Sequence, residues 1–322
     1  MSATAVSPIT ERAVAFVAEH KPDAEELGRR LAEEIDDPDS FATMLTEGFS
    51  ALADPVYHEG QRTVIPGLGR THGVRWPLIM AVNRGFREAT RRERTSRWLF
   101  IADRLFHEPE LEARWFAFGL LERLVIDEPE RSWQLLRRAA REAADWATVD
   151  ALAHAVGKGI LSEPYRWAEL EQLVYSPSRW ERRLVGSTVA TIPFVDHRRG
   201  REPEVAQHGL NLIRQLIGDD EADVQKALSW ALRSLVMVDQ RAVTGFCAAE
   251  AAIAASNSDG HRAWVVRDVL AKLEPDDAAA IRSQLDGIRR RASDPATSTA
   301  SAAAARFGQG VLGQPQPEPP LT

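Results

Sequence analysis

The chain has 322 residues, a formal net charge of −7, 44% hydrophobic residues and a single cysteine. This size and composition are ordinary for a soluble globular protein, and one cysteine excludes both an internal disulfide and a cysteine-rich metal site. No apolar run approaches the roughly 20 residues that span a bilayer, and the amino terminus lacks a signal-peptide pattern, so we expect a cytoplasmic protein without membrane association.

Helical periodicity begins near the amino terminus and continues through almost the whole chain. Apolar residues recur at three- and four-residue spacing, and the strict alternation of strands is nearly absent, which predicts an all-α protein. In the first predicted helices, Leu27, Leu31 and Ile35 follow the capping candidate Asp23, and a second apolar series follows Ser40. Both residue types favour helix N-caps.

A glycine-rich segment with little apolar periodicity follows, from His58 to Arg75. It predicts a loop between an amino-terminal helical cap, residues 1–57, and a main helical stack, residues 58–291, that is continuous with the cap. The glycines are compatible with two interpretations. They would allow close approach of the backbone to a ligand, or they would simply form a long turn.

Positive charge is concentrated in two windows although the total is negative. Residues 84–104 contain seven arginines and three acidic residues, and residues 179–201 contain six arginines and two acidic residues. In the first window four arginines follow helical spacing and are predicted to share one helix face: Arg84, Arg87, Arg91 and Arg94. Such windows are compatible either with solvated faces or with contacts to phosphate groups.

Six prolines predict helix starts along the chain. Proline is tolerated in the first turn of a helix and is disruptive further inside. The positions are Pro109, Pro129, Pro164, Pro177, Pro203 and Pro275. Helices of about 12 to 18 residues joined by short connections predict an α-solenoid of antiparallel, HEAT-like pairs. No fixed-period consensus marks a tetratricopeptide or ankyrin array.

The composition changes at the carboxyl end. From residue 292 to 322 the chain consists mainly of alanine, serine, threonine, glycine, glutamine and proline. Such a segment buries too little apolar surface to offset its ordering entropy, which predicts a disordered tail without chemistry.

Trp146 and Asp150 are four residues apart and therefore lie on one face of a predicted helix. A carboxylate beside an indole suits a cation, but the same pair is compatible with a core tryptophan and an N-capping aspartate. His154, one turn further, could form an acid–base pair with Asp150 or only a local hydrogen bond. The eight histidines form no closely spaced metal set, so no metal site is predicted.

Three helical signatures follow one another in a fixed order. They are Trp146-Ala-Thr-Val-Asp150, Ser178-Arg-Trp180-Glu-Arg-Arg183 and Gln225-Lys-Ala-Leu-Ser-Trp230-Ala-Leu-Arg233. The set resembles the Trp-x-x-x-Asp, Trp-x-x-Arg and Gln-Lys-Ala-x-x-Trp-x-Leu-Arg helices of AlkD-like DNA glycosylases, which are HEAT-like repeat proteins of DNA alkylation repair.

The resemblance extends more weakly from about Gly73 to Ala271. It includes Gly73-Val74 before Trp76-Pro77, similar to a short glycine turn of the family, and the Glu112-Ala-Arg-Trp-Phe-Ala helix. The chain departs from the family at Asp145, where members often have an aromatic residue, and at Ser234, where they often have an acidic one.

The resemblance implies functional roles for individual residues. Asp150 would be the catalytic carboxylate, and Trp146 and Trp230 would be the aromatic walls of the catalytic site. Arg183 would contact the lesion-bearing backbone. The remaining predicted DNA contacts are the arginines of the two windows, Arg182 together with Arg84, Arg87, Arg91 and Arg94.

The implied reaction is hydrolysis of the N-glycosidic bond of N3- or N7-alkylated purines in double-stranded DNA. The resemblance implies a monofunctional enzyme that needs no cofactor and no base-flipping pocket, so that bulky adducts would also be accepted. We expect a monomer, with residues 58–291 as the catalytic domain. The alternative is a non-catalytic HEAT-repeat module that binds DNA or a protein, because a fold alone does not determine an activity.

Overall fold

The computed structural model describes residues 7–65, 67–291 and 293–311, with side chains as far as residue 306. Within these ranges all regular secondary structure is helical, apart from one isolated β-bridge between Arg70 and Glu110. The prediction of an all-α helical protein is confirmed. The chain divides into two compact units, Met1–Ser162 and Glu163–Thr322.

The first unit is a set of helices packed mainly in pairs. Its helices are α1 (Pro8–Leu31), α2 (Pro38–Ala51), α3 (Pro55–Val64), α4 (Trp76–Ala89), α5 (Ser96–Leu105), α6 (Leu111–Asp127), α7 (Pro129–Glu142) and α8 (Trp146–Ser162). The most extensive pairs are α1 with α4 and α6 with α8. A cluster of phenylalanines fills the core between α2, α4 and α6, with ring centroids 5.3 to 6.4 Å apart: Phe41, Phe49, Phe86 and Phe116.

Helices α1 and α4 cross at two glycines. A Cβ added at Gly28 would lie 2.1 Å from the carbonyl oxygen of Val82, and one added at Gly85 would lie 2.1 Å from that of Glu25. Because both approaches are to backbone atoms, no side-chain movement could accommodate a larger residue. The two helix backbones are therefore in direct contact.

Two predicted helix starts near the amino terminus are wrong. Helix α1 begins at Pro8 behind the N-cap Ser7 and continues through Pro22, so Asp23 lies inside a helix. Pro22 has no backbone N–H to donate to the carbonyl of Ala18, and Ala18 is exposed, so water can reach that carbonyl. Helix α2 is capped by Asp37, whose carboxylate accepts from Ser40 N at 3.0 Å, so Ser40 is not the cap.

The loop predicted from His58 to Arg75 is shorter in the structure. Helix α3 is capped by Asp54 and continues to Val64, so only residues after Val64 form the connection to α4. The predicted domain boundary at residue 57 thus falls within a helix, and the amino-terminal helix α1 packs on α4 in the same unit.

The second unit contains a further set of helices: α9 (Arg166–Gln172), α10 (Arg179–Val195), α11 (Pro203–Leu216), α12 (Ala222–Leu235), α13 (Gln240–Asn257), α14 (Gly260–Val269), α15 (Pro275–Gln284) and α16 (Thr299–Val311). Its most extensive pair is α10 with α12. Three of the six predicted proline positions are the first residue of their helix and the other three lie two residues before it. This confirms the proline prediction.

The single cysteine, Cys247, is fully buried on α13. Burial in apolar surroundings raises the pKa of its thiol to about 12, and the nearby charge of Glu250 acts in the same direction. The thiol is therefore protonated at neutral pH and is a poor nucleophile.

The carboxyl-terminal segment differs from the predicted tail. Thr297 N donates to Gly218 O at 2.8 Å, Ser298 is fully buried, and helix α16 follows. The helix forms because Ser298 caps it by accepting from Ser301 N at 3.1 Å and because alanine has the highest helix propensity. Ala292 and residues 312–322 of the predicted tail lie outside the described residues.

No helix in the described ranges is long and apolar enough to cross a membrane.

Candidate active site

Helix α8 begins at a buried aspartate. Asp145 Oδ1 accepts from Thr148 N at 2.8 Å and its Oδ2 accepts from Thr148 Oγ1 at 2.8 Å. Trp115 Nε1, on α6, donates to the same hydroxyl at 3.1 Å. The start of α8 is thus fixed against α6 by a chain of three side chains.

Asp145 is a second carboxylate close to the predicted catalytic one. Burial raises its pKa, and the charge of Asp150 raises it further, although hydrogen bonds from Thr148 oppose the shift. In the sequence this position was notable only because it departs from the family pattern. The structure shows that it is the N-cap of the helix that carries Trp146 and Asp150.

The accessible face of α8 lines a cleft of about 300 Å³. Trp146 and Asp150 both line this cleft and are both partly exposed, and Asp150 lies inside α8, whose N-cap is Asp145. His154, one turn beyond, lies in the same cleft. The other lining residues come from α3, the residue that follows it, α4, α6 and α8: Tyr57, Gln61, Ile65, Trp76, Trp115, Ala147 and Ala151.

Trp76 forms one side of the cleft and is 41% exposed. It is the first residue of α4, where Pro77 fixes the backbone of the first turn. The sequence did not predict a site role for this residue. Its only signal was a large aromatic side chain at the start of a helix directly after a glycine turn.

The segment before Trp76 is fixed by a buried carboxylate. Glu112, on α6, is fully buried and accepts hydrogen bonds from three successive backbone N–H groups, those of His72 at 3.1 Å, Gly73 at 2.9 Å and Val74 at 3.2 Å. Gly73 has φ +87°, and a Cβ there would lie 2.5 Å from His58 Cβ. This position therefore requires glycine for its conformation and for the close approach of α3.

A second buried carboxylate joins α3 to the start of α4. Asp54 accepts from Val56 N at 3.0 Å and from Arg75 Nε at 2.8 Å, and the Arg75 guanidinium lies 4.7 Å from the centre of the Tyr57 ring. Burial opposes the ionisation of Asp54, but the hydrogen bonds and the charge of Arg75 outweigh it and lower the pKa. Tyr57 and Trp76 are thus held at fixed positions on the cleft.

A family model described as DNA alkylation repair enzyme matches residues 45–273, which is well over half of the chain. The chain belongs to the DNA alkylation repair enzyme family. A search of the curated proteins finds no match. The matched region contains all the residues that line the cleft.

The predicted arginine face of this repair enzyme is not a single helix face. Helix α4 ends at Ala89, and the backbone leaves the helical conformation at the C-cap Thr90, which has φ −97° and ψ 13°. Arg91 and Arg94 therefore lie in the turn after the helix, whereas Arg84 and Arg87 lie on it.

These four arginines differ in their surroundings. Arg84 pairs with Glu25 on α1 at 2.5 Å. Arg87, Arg91 and Arg94 are exposed, and within the described residues no ion pair engages them. The exposed cations at the end of α4 and in the following turn are therefore accessible to phosphate groups.

The predicted site residues of the second unit have structural contacts of their own. Arg182 donates to Asp219 at 2.7 Å and to the carbonyl of Ser176 at 2.9 Å, and its side chain is only 13% exposed. Arg183 is 6% exposed and donates to Asp223 O at 2.6 Å. The guanidinium of Arg182 is thus occupied by contacts within the protein, which does not support its predicted DNA contact.

Trp230 lies on α12 and is partly exposed, and Lys226, one turn before it, is exposed. Gln225 of the same signature is buried and forms a hydrogen bond with His261 Nδ1 at 3.0 Å. The third signature therefore combines a buried residue that joins α12 to α14 with an accessible indole.

Proposed function

We propose that this repair enzyme is a monofunctional DNA glycosylase, which hydrolyses the N-glycosidic bond of cationic N3- or N7-alkylated purines in duplex DNA. The observation that carries the proposal is the place of Asp150, a partly exposed carboxylate in a cleft lined by three indoles. In a member of an alkylation repair family, this combination matches the positive charge of the lesion.

The proposed chemistry uses the carboxylate to stabilise developing positive charge. The alkylated base departs with the bonding electron pair and becomes neutral, which leaves an oxocarbenium-like sugar. Water attacks C1′ and its proton passes to Asp150 and then to solvent. A carboxylate about 4 Å from the charge, at an effective dielectric constant of about 20, contributes about 4 kcal/mol.

The cleft residues support hydrolysis rather than lyase chemistry. No lysine is among the residues that line the cleft in the described part of the chain, so no amine is present there to form a Schiff base with the sugar. Hydrolysis requires water and no further co-reactant.

The direct test is release of free base from alkylated duplex DNA by the purified protein. We expect release of N3- and N7-alkylpurines, detected by chromatography, and abasic sites without strand cleavage. A protein that binds the DNA with steep salt dependence but releases no base would instead be a non-catalytic DNA-binding module.

Removal of the exposed arginine charges should weaken DNA binding. The double variant Arg91→Ala/Arg94→Ala loses two cations that no described acidic residue engages, so affinity for duplex DNA should fall. The slope of log K against log salt should become shallower by roughly 0.9 per lost phosphate contact. Titration of labelled duplex at several salt concentrations measures both.

The matched control is Arg29→Ala, which removes an arginine that already pairs with Glu26 at 2.8 Å on α1. Its salt slope should equal that of the wild type. An unchanged slope in the double variant would assign the turn to ordinary solvated surface.

Trp230, a partly exposed indole on α12, is proposed as an aromatic contact to DNA that carries a cationic lesion. Trp230→Ala should weaken binding of DNA with cationic lesions by about 2- to 30-fold, the range expected from one cation–π contact, and should weaken binding of undamaged duplex less. Competition binding with the two duplexes measures the difference. Equal losses on both would show that Trp230 supports only the packing of α12.

A further inference from the structure

Helices α12 and α14 of the second unit share one accessible surface. Trp230 and Arg233 lie three residues apart on α12, and Trp264 and Asp268 lie four residues apart on α14, so each pair occupies one helix face. All four residues are partly or fully exposed. An ion pair between Arg233 and Asp268 joins the two faces. The surface that carries the indole of Trp230 therefore continues to a second indole, that of Trp264.

A short non-helical segment that ends in three arginines is fixed on α14. We call residues 285–291, with the sequence Leu-Asp-Gly-Ile-Arg-Arg-Arg, the arginine segment. Arg267, on α14, donates to the carbonyl of Leu285 at 2.5 Å and to the carbonyl of Ile288 at 2.7 Å. These two hydrogen bonds hold the backbone that leads into the arginines.

The arginines themselves lie against the start of α14. A Cβ added at Gly260, the first residue of that helix, would lie 2.2 Å from the carbonyl oxygen of Arg289, so the two backbones are in direct contact. Arg290 Cζ lies 5.6 Å from the centre of the Trp264 ring, within the range of a cation–π contact. Arg289 and Arg291 are exposed. The segment thus places one guanidinium on the second indole and an exposed arginine on each side of it in the chain.

Positive charge on the arginine segment is not neutralised by nearby carboxylates. Within the part of the chain that the structure describes, no ion pair engages Arg289, Arg290 or Arg291. Burial lowers the pKa of Arg267 and the charge of Arg289 lowers it further, although Asp286 opposes the shift. The guanidinium groups are therefore close enough to repel one another, and an anion bound beside them would relieve that repulsion.

We propose that the arginine segment binds backbone phosphates of duplex DNA, as a contact made by residues that do not line the catalytic cleft. The segment lies outside the region of the family match, which ends at residue 273. The inference rests on the proposed function for the identity of the ligand, duplex DNA, and not for the chemistry at Asp150.

The chemistry of the segment matches a phosphate backbone. A guanidinium donates parallel N–H groups to phosphate oxygens, and duplex DNA presents phosphates in a regular series. Because the protein has a net charge of −7, attraction to a polyanion requires local positive charge of this kind. The backbone of the segment is already fixed on α14, so its binding loses less conformational entropy than binding of a mobile chain.

The test is the double variant Arg289→Ala/Arg291→Ala of the full chain, which removes the two exposed guanidinium groups and leaves Arg290 on Trp264. Affinity for undamaged duplex should fall. The slope of log K against log salt should become shallower by roughly 0.9 per lost phosphate contact, about 1.8 for two. Titration of a labelled duplex at several salt concentrations measures both. Arg289→Lys/Arg291→Lys should keep most of the wild-type slope, because both charges remain.

The charge-matched control is Arg241→Ala/Arg306→Ala. Both arginines are exposed, on α13 and α16, and no ion pair with a described residue engages either. Arg241 is roughly 24 Å along α13 from Asn257, the helix end that precedes α14, at about 1.5 Å per residue. The salt slope of this control should equal that of the wild type. Circular dichroism of both double variants establishes that a loss of binding does not come from unfolding.

The outcomes separate the arginine segment from the glycosylase. A wild-type slope in Arg289→Ala/Arg291→Ala, or an equal change in the control, overturns the phosphate contact. Base release from alkylated DNA by a protein whose segment variant keeps the wild-type slope overturns the contact and leaves the glycosylase intact. A shallower slope only in the segment variant, in a protein that releases no base, supports the contact and overturns the glycosylase.

Discussion

Asp150→Asn should reduce base release from alkylated duplex DNA by about three powers of ten, because about 4 kcal/mol of attraction to the oxocarbenium-like sugar is lost. Asparagine has nearly the same size, so the cleft keeps its shape. Binding of undamaged duplex should change by less than about threefold, corresponding to under 0.7 kcal/mol. Single-turnover base release and duplex binding measure the two effects separately.

The control for this variant is Asp103→Asn. Asp103 is a 55% exposed carboxylate of α5, 3.5 Å from Arg138, and it does not line the cleft. Its rate of base release should match the wild type. Wild-type release by Asp150→Asn would contradict the catalytic assignment even if the protein proved to be a glycosylase.

Glu112→Ala should have the largest effect on stability. The substitution removes the buried carboxylate and leaves three backbone N–H groups, those of His72, Gly73 and Val74, without their acceptor. Loss of one partner from such a buried arrangement typically costs about 3–5 kcal/mol. For a unit of this size the melting temperature should fall by roughly 10 °C, which calorimetry measures.

The effect should reach the cleft as well. Glu112 fixes the backbone that places Trp76, so base release from alkylated duplex DNA should also slow in the folded fraction of a milder variant, Glu112→Gln. Glu142→Gln is the control, since Glu142 is an exposed partner of Arg138 on α7 at 2.9 Å and such pairs contribute about 0–1 kcal/mol. Equal melting temperatures for the Glu112 and Glu142 variants would show that the backbone of His72, Gly73 and Val74 keeps its conformation without Glu112.

The sequence predicted those features that depend only on residues close together in the chain. Helical periodicity, the proline positions and the placing of Trp146 and Asp150 on one helix face all follow from spacing along one helix. The end of α4 was misplaced because arginines at helical spacing keep that spacing in the sequence even where the backbone leaves the helical conformation at Thr90.

The support of the cleft could not be read from the sequence. Glu112 contacts a backbone segment 38 to 40 residues away, and Gln61 approaches α8 across about 90 positions. No periodicity records such pairings. In the sequence, Asp145 was recognisable only as a departure from a family pattern. Its role as a buried N-cap became apparent from its hydrogen bonds with Thr148 in the structure.

The glycine crossing of α1 and α4 sets a limit on how this enzyme can be shortened. The family match starts at residue 45, after α1, yet Gly28 and Gly85 bring the α1 backbone directly against that of α4. A piece cut at the family boundary would expose the Gly85 surface of the helix whose first residue is Trp76. The extension that looks dispensable by homology is thus part of the scaffold of the cleft.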